Sequence, residues 1–154
     1  MITTDLDIEN HVKGTYILIA RLTASQEIEV GRLGIIKFPR AYYAYVGSAL
    51  GGLKSRLQRH TQKEKKKRWH IDYLLEQALL VRIVYGVCES TLECQISQYF
   101  TKYFTSIPRF GASDCRCTSH LYRDARVKNM QKIGKVAFHN LGIEPHEVVV
   151  KRMK

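Results

Sequence analysis

The chain opens on a strand-like pattern of apolar positions. Residues 14–23, GTYILIARLT, are dominated by β-branched and aromatic residues and start at a glycine, which reads as a strand. Residues 28–37, IEVGRLGIIK, read as a second strand. Phe38-Pro39-Arg40 reads as a turn, since proline fixes φ and cannot join a central ladder. Residues 41–47, AYYAYVG, alternate into a third strand. Short consecutive strands with tight connections predict an antiparallel meander.

The period then changes. Ser48 to Gly52 is a loop, after which Leu53 and Leu57 recur at helical spacing through residue 61. Residues 69–79 place Ile71, Leu74, Leu75 and Ala78 on one helical face, and residues 80–88 return to a strand. Ser90 is positioned to cap a helix running to about Phe104, with Glu93 at the capping-box position. Leu92, Ile96, Tyr99, Tyr103 and Phe104 form its apolar face. Pro108 and Gly111 bracket a loop leading into SDCRCTSH. Residues 127–139 read as a helix, and HEVVVKRMK as a final strand or a frayed end. The fold class expected is α+β, a small, mainly antiparallel sheet flanked by helices. No Gly-rich dinucleotide loop follows the first strand. Residues 1–12 read as an N-terminal extension, 13–122 as the central domain, and 123–154 as a basic C-terminal extension packed on it or trailing from it.

Length and charge narrow the function. At 154 residues the chain has the size of one domain. No apolar run approaches a membrane span. Residues 1–10 are polar and acidic, without the features of a signal peptide, so the cytoplasm is the default compartment. The net charge of +11 creates a field that attracts polyanions, and nucleic acid is the commonest of these. DNA is the partner expected; charge does not exclude RNA. Lys63, Lys65, Lys66, Lys67 and Arg68 form a dense basic run which, with Lys54 and Arg59, extends a positive track suited to a phosphate backbone. His70 follows directly, as a further candidate for contact with the substrate.

Four residue types point to chemistry. Tyr16 and Tyr45 sit on strands whose neighbouring glycines, Gly14 and Gly47, leave room for a phenol. The bland reading is that tyrosine is simply favoured in strands. Arg56 and His60 share one helical face, where an arginine can hold a phosphate by two hydrogen bonds; the alternative is a solvated basic helix. Glu93 can hold a magnesium ion that keeps most of its waters, or serve only as a helix cap.

The ordered blocks Gly14-Thr15-Tyr16, Tyr45-Val46-Gly47, Arg56 with His60 and LECQIS around Glu93 resemble the GIY-YIG nuclease superfamily. The stretches YVGSALGGL, WHIDYLL and FGASDCRCTSHL resemble more closely its Uri-type branch of small archaeal and bacterial proteins. The similarity runs from about residue 13 to 122. The resemblance implies a metal-dependent endonuclease acting on DNA phosphodiesters. It implies Tyr16 or Tyr45 as the group that helps deprotonate water, Arg56 as the stabiliser of charge at phosphorus, and His60 as a hydrogen-bonding partner. Glu93 is implied as the ligand of Mg²⁺ or Mn²⁺. Ser48 stands where members often carry lysine, and RFGASD lacks the asparagine that many have after the glutamate helix. A nucleic-acid-binding module with weak or no catalysis is therefore the alternative.

The four cysteines, Cys88, Cys94, Cys115 and Cys117, are expected to be reduced in a cytosolic setting. Cys115, Cys117 and His120 have a spacing that can supply three zinc ligands, with His70, Asp72 or Cys94 as a fourth. The competing reading is a loop of small, partly buried thiols.

Overall fold

The computed structural model describes residues 2–3, 6–62, 64–113 and 115–152. In chain order the strands are β1 (Ile2–Thr3), β2 (Gly14–Leu22), β3 (Gln26–Glu29), β4 (Ile35–Phe38) and β5 (Ala41–Ala49). Helices α1 (Leu53–Thr61) and α2 (His70–Gln77) follow, then β6 (Leu79–Val87) and α3 (Glu93–Tyr103). The chain continues through β7 (Thr105–Ser106), β8 (Leu121–Asp124), α4 (Val127–Asn140), β9 (His146–Val149) and β10 (Lys151–Arg152). The fold is α+β, and its main sheet has six strands in the order β7-β8-β5-β2-β6-β9, with every neighbouring pair antiparallel.

β2 lies at the centre and is buried along its length except at Arg21. Both of its faces are covered, so apolar residues at successive positions are all used. One face carries Tyr16, Leu18, Ala20 and Leu22, packed with Leu53 and Leu57 of α1 and Ile71, Leu74 and Leu75 of α2. The other carries Ile17 and Ile19, packed with Ile96 and Phe100 of α3 and Met130, Ala137 and Phe138 of α4. The helical face expected at Ile71, Leu74, Leu75 and Ala78 is buried.

The segment 28–37 is not one strand. It turns back through a short 3-10 helix at Gly31–Leu33, where the Val30 N–H donates to the Gly34 carbonyl at 2.9 Å. β3 and β4 form a separate two-stranded ribbon. The helix expected from Ser90 begins later, at Glu93, and no side chain caps it. Glu93 therefore occupies the first turn itself rather than the capping-box position.

Of the stretch expected as a C-terminal extension, α4 closes the second core and β9 pairs with β6 as an edge strand. From the N-terminal segment, Leu6 and Ile8 enter the first core. Among the described residues, no helix is long and apolar enough to cross a membrane.

Candidate active site and soft-metal cluster

The antiparallel register of β2 and β5 sets the two phenols. Tyr16 pairs with Gly47, and Leu18 with Tyr45. Cross-strand partners share a face, so Tyr16 and Tyr45 lie diagonally on the same side of the sheet. The glycine of the second triplet is a spatial requirement. A Cβ at Gly47 would stand 2.6 Å from both Cζ and Oη of Tyr16.

Tyr16, Tyr45, Arg56 and Glu93 line one cavity of about 160 Å³, together with Gly47, Ser48, Trp69, Gly111, Cys115 and His120. His60 lies behind it. Its Nε2 is 2.8 Å from the Tyr16 Oη, whereas its Nδ1 is buried with no hydrogen-bond partner. Burial lowers the His60 pKa to about 3, helped by the positive charge of Lys65, so the ring is neutral across the physiological range. Burial raises the Tyr16 phenol to about 12, opposed by Arg56. Tyr45 is also raised, by burial and by the charges of Tyr16 and Glu93.

Arg56 is held from two sides. Its guanidinium donates to the Ser48 carbonyl at 3.1 Å and lies 4.4 Å from the centroid of the Trp69 ring. The Ser48 hydroxyl turns to that of Thr15 at 3.2 Å. The Thr15 hydroxyl in turn accepts the Leu92 N–H at 3.3 Å. The hydroxyls of Ser48 and Thr15 thus meet each other and hold the residue preceding Glu93.

The basic candidates divide. Arg59, expected on the phosphate track, is engaged within the protein: it makes a two-pronged ion pair with buried Asp72, at 3.1 and 2.9 Å, and stacks on Trp69 at 4.3 Å. Asp72 also accepts the N–H groups of Arg68 and Trp69, capping α2. Burial would raise its carboxyl, but Arg59 and these N–H donors outweigh it and hold the pKa low. Lys65 donates to the carbonyls of Arg59, His60 and Gln62, closing the C-terminal end of α1. Lys67 pairs with Glu76 at 2.6 Å. Lys66 and Arg68 are exposed and Lys54 is half-buried; Lys63 lies outside the described residues. His70 is a loop anchor rather than a cavity residue. Its Nδ1 accepts the Gly111 N–H at 2.8 Å, and its ring meets Phe110 edge-on. That bond brings Gly111 (φ 70°) against Tyr45, where a Cβ would stand 2.8 Å from Cε1.

A second cluster borders the cavity. Cys94, Cys115, Cys117 and His120 place their ligand atoms within 4.8 Å of one another, close enough to hold a metal ion. Of the residues expected as a fourth ligand, Cys94 takes that place; His70 and Asp72 are engaged elsewhere. His120 presents Nε2 to the Cys115 thiol at 3.1 Å, while Nδ1 meets the Ser97 hydroxyl at 2.6 Å. A partner on one ring nitrogen fixes which nitrogen is left to ligate. Ser97 was invisible as a site residue in the primary structure. Its signal was its position three residues after Cys94, on the same helical face.

No curated protein and no solved structure matches this chain. A family model does match, over residues 15–143, a span that contains every residue lining the cavity and all four of the clustered ligands. The chain belongs to the family described as domain of unknown function DUF123.

Proposed function

We propose that this chain is a metal-dependent endonuclease of the GIY-YIG type, hydrolysing DNA phosphodiester bonds. The observation that carries the reading is the convergence of Tyr16, Tyr45, Arg56 and Glu93 on one cavity, with His60 hydrogen-bonded behind Tyr16. These groups come from four separate elements, and two phenols, one guanidinium and one carboxylate suit in-line attack of water on phosphorus. The hard carboxylate oxygens of Glu93 fit magnesium or manganese, an ion that takes one or two carboxylates and keeps several of its waters. Such an ion, when bound, supplies polarisation of the phosphate and support for the leaving oxygen.

The protein groups divide the remaining work. Arg56, fixed by Ser48 and Trp69, stabilises charge developing on the phosphate oxygens. Tyr16, once its phenol has lost its own proton to solvent through the cavity, accepts the proton of the attacking water. The buried Nδ1 of His60 has no partner to accept a proton it would carry. The tautomer protonated at Nε2 therefore leaves the smaller penalty, and directs an N–H at the Tyr16 oxygen. That donor favours the phenolate. Exposed Lys66 and Arg68 extend a positive surface for the DNA backbone.

The test is a cleavage screen over single-stranded, duplex, flap and mismatched DNA with Mg²⁺ and Mn²⁺. Turnover that disappears in Glu93→Ala is expected; equal activity of that variant removes the metal role. A second reading, a binding module without efficient catalysis, is favoured by the high pKa of the Tyr16 phenol and by Ser48 in the place of lysine. Binding without turnover on every substrate supports it.

The sulfur-rich cluster has a different chemistry. We assign it to zinc, because three thiolates and one imidazole match the soft, four-coordinate preference of that ion. Four protein ligands close such a site, so the assigned role is structural. About one equivalent of zinc in the purified chain is the expected elemental analysis.

A further inference from the structure

Cys94 follows Glu93 directly in the first turn of α3, and this adjacency links the two sites. Three of the four soft ligands, Cys115, Cys117 and His120, come from the loop between β7 and β8. Cys115 and His120 also line the cavity that holds Tyr16, Tyr45 and Glu93. The same loop carries Gly111, which packs on Tyr45 and is tied to His70. One ion at the cluster therefore joins the start of α3 to the loop that backs the second tyrosine.

Side chains of the sheet and of the loop meet the first turns of α3. No side chain caps it, and its preceding residue is held by the Thr15 hydroxyl at 3.3 Å. Further along the helix, Ser97 reaches His120 at 2.6 Å, so Cys94 and Ser97 both hold the same loop. A metal–thiolate bond at Cys94 restrains the backbone of the adjacent residue. The carboxylate of Glu93 then has few orientations available before its cation arrives, and preorganisation of this kind raises affinity without adding a contact.

We infer that the zinc ion at Cys94, Cys115, Cys117 and His120 is a positioning element for the hydrolytic cation: loading the soft site sets the affinity of the Glu93 site for Mg²⁺ or Mn²⁺. This inference rests on the proposed assignments of zinc to the cluster and of a hard cation to Glu93. Cys94, Cys115, Cys117 and His120 are positioning residues in this scheme. They act on the reaction through Glu93 and Tyr45. Coupling between two binding sites is reciprocal, so a hard cation at Glu93 also perturbs the soft site.

Two measurements on the full chain test the inference. Calorimetric titration with Mn²⁺ compares zinc-loaded protein, chelator-stripped protein and Cys117→Ser; Cys117 does not line the cavity. Stripping and Cys117→Ser are each expected to weaken Mn²⁺ binding by about tenfold or more, a coupling of ordinary size, and zinc added back to the stripped wild type restores it. The second measurement needs no cysteine variant and so survives one that fails to fold. Co²⁺ is placed in the soft site, and its visible absorption is followed while Mg²⁺ is added. The bands shift in the wild type and stay fixed in Glu93→Gln. Unchanged Mn²⁺ affinity on stripping, with cobalt bands that ignore Mg²⁺, overturns the positioning role and leaves the nuclease reading standing. A chain that binds neither zinc nor cobalt overturns it as well, through the loss of its zinc premise. Loaded wild type that fails to bind Mg²⁺ or Mn²⁺ overturns it together with the Glu93 assignment, a separate pattern of results.

Discussion

The Tyr16 phenol and the His60 imidazole meet at 2.8 Å across 44 residues of chain. Both groups are buried, so each is the other's substitute for water. Tyr16→Phe keeps the ring and removes the oxygen. It leaves the His60 Nε2 without this partner, at a cost of about 1–3 kcal/mol of stability. If Tyr16 is the proton-handling group, single-turnover cleavage falls about 10²- to 10⁴-fold. Tyr45→Phe is expected to lose less, because among the described residues no imidazole stands to it as His60 does to Tyr16. The reverse order of the two variants would move the proton-handling role to Tyr45.

The same pair makes stability depend on pH. His60 has a folded pKa of about 3, below its ordinary value of 6.5. Between these values the unfolded chain binds a proton that the folded chain does not. Stability is therefore complete above pH 6.5 and falls as the pH drops toward 3, by up to about 1.4 kcal/mol per pH unit from this group. Urea denaturation at pH 5 and pH 7 measures the slope. His60→Gln, which cannot titrate, is expected to flatten that part of it. An unchanged slope in the variant would show that other groups govern acid unfolding.

What could be read from the primary structure, and what could not, follows from distance along the chain. α1 was legible because Leu53 and Leu57 lie one turn apart and Gly51-Gly52 precede them; its observed span, Leu53–Thr61, is the one expected. The segment 28–37 was misread because Ile28, Val30, Leu33, Ile35 and Ile36 keep an apolar rhythm straight through the turn at Gly31–Leu33. Glu93 was assigned to a capping box because Ser90 lies three residues earlier. The actual helix start is set partly by Thr15, 77 residues away. The ion pair of Arg59 was not legible because Asp72, its partner, is 13 residues distant on the next helix. The spacing of Tyr16, Tyr45, Arg56 and Glu93 was legible as order but not as geometry. Their common cavity depends on the β2–β5 register and on a loop held by His70.

Gly47→Ala tests how tightly the cavity is built. The added methyl would begin 2.6 Å from the Tyr16 phenol, inside contact distance. The phenol must move or the strands must part, at a cost of about 1–3 kcal/mol. Cleavage is expected to fall by at least tenfold, since displacement of a reacting group by about an ångström can cost more than that. Chemical denaturation and cleavage rates on the same preparation separate the two effects. Wild-type rates in this variant would place Tyr16 outside the chemistry.

Arg59→Ala distinguishes a structural pair from a nucleic-acid contact. Asp72 is buried, and its carboxylate would lose its two-pronged partner. Breaking a buried ion pair from one side costs about 3–5 kcal/mol. A large fall in denaturation midpoint is expected, together with little change in the salt dependence of DNA binding. A stable variant with a reduced salt slope would instead make Arg59 a phosphate contact.

Thr15 tests whether a buried hydroxyl on β2 helps to orient Glu93. Its buried hydroxyl accepts the Leu92 N–H at 3.3 Å and faces Ser48 at 3.2 Å and Cys88 at 3.5 Å. Thr15→Val preserves the shape and removes all three contacts. The Leu92 amide then loses its side-chain acceptor, at a cost of about 1–3 kcal/mol, and the start of α3 loosens next to Glu93. Weaker Mg²⁺ binding is expected in Thr15→Val. Thr15→Ser, which keeps the hydroxyl and loses only the methyl, is expected to retain wild-type affinity. Calorimetric titration of both variants decides the matter: equal affinities would mean that this hydroxyl contributes to stability alone, and that other contacts orient Glu93.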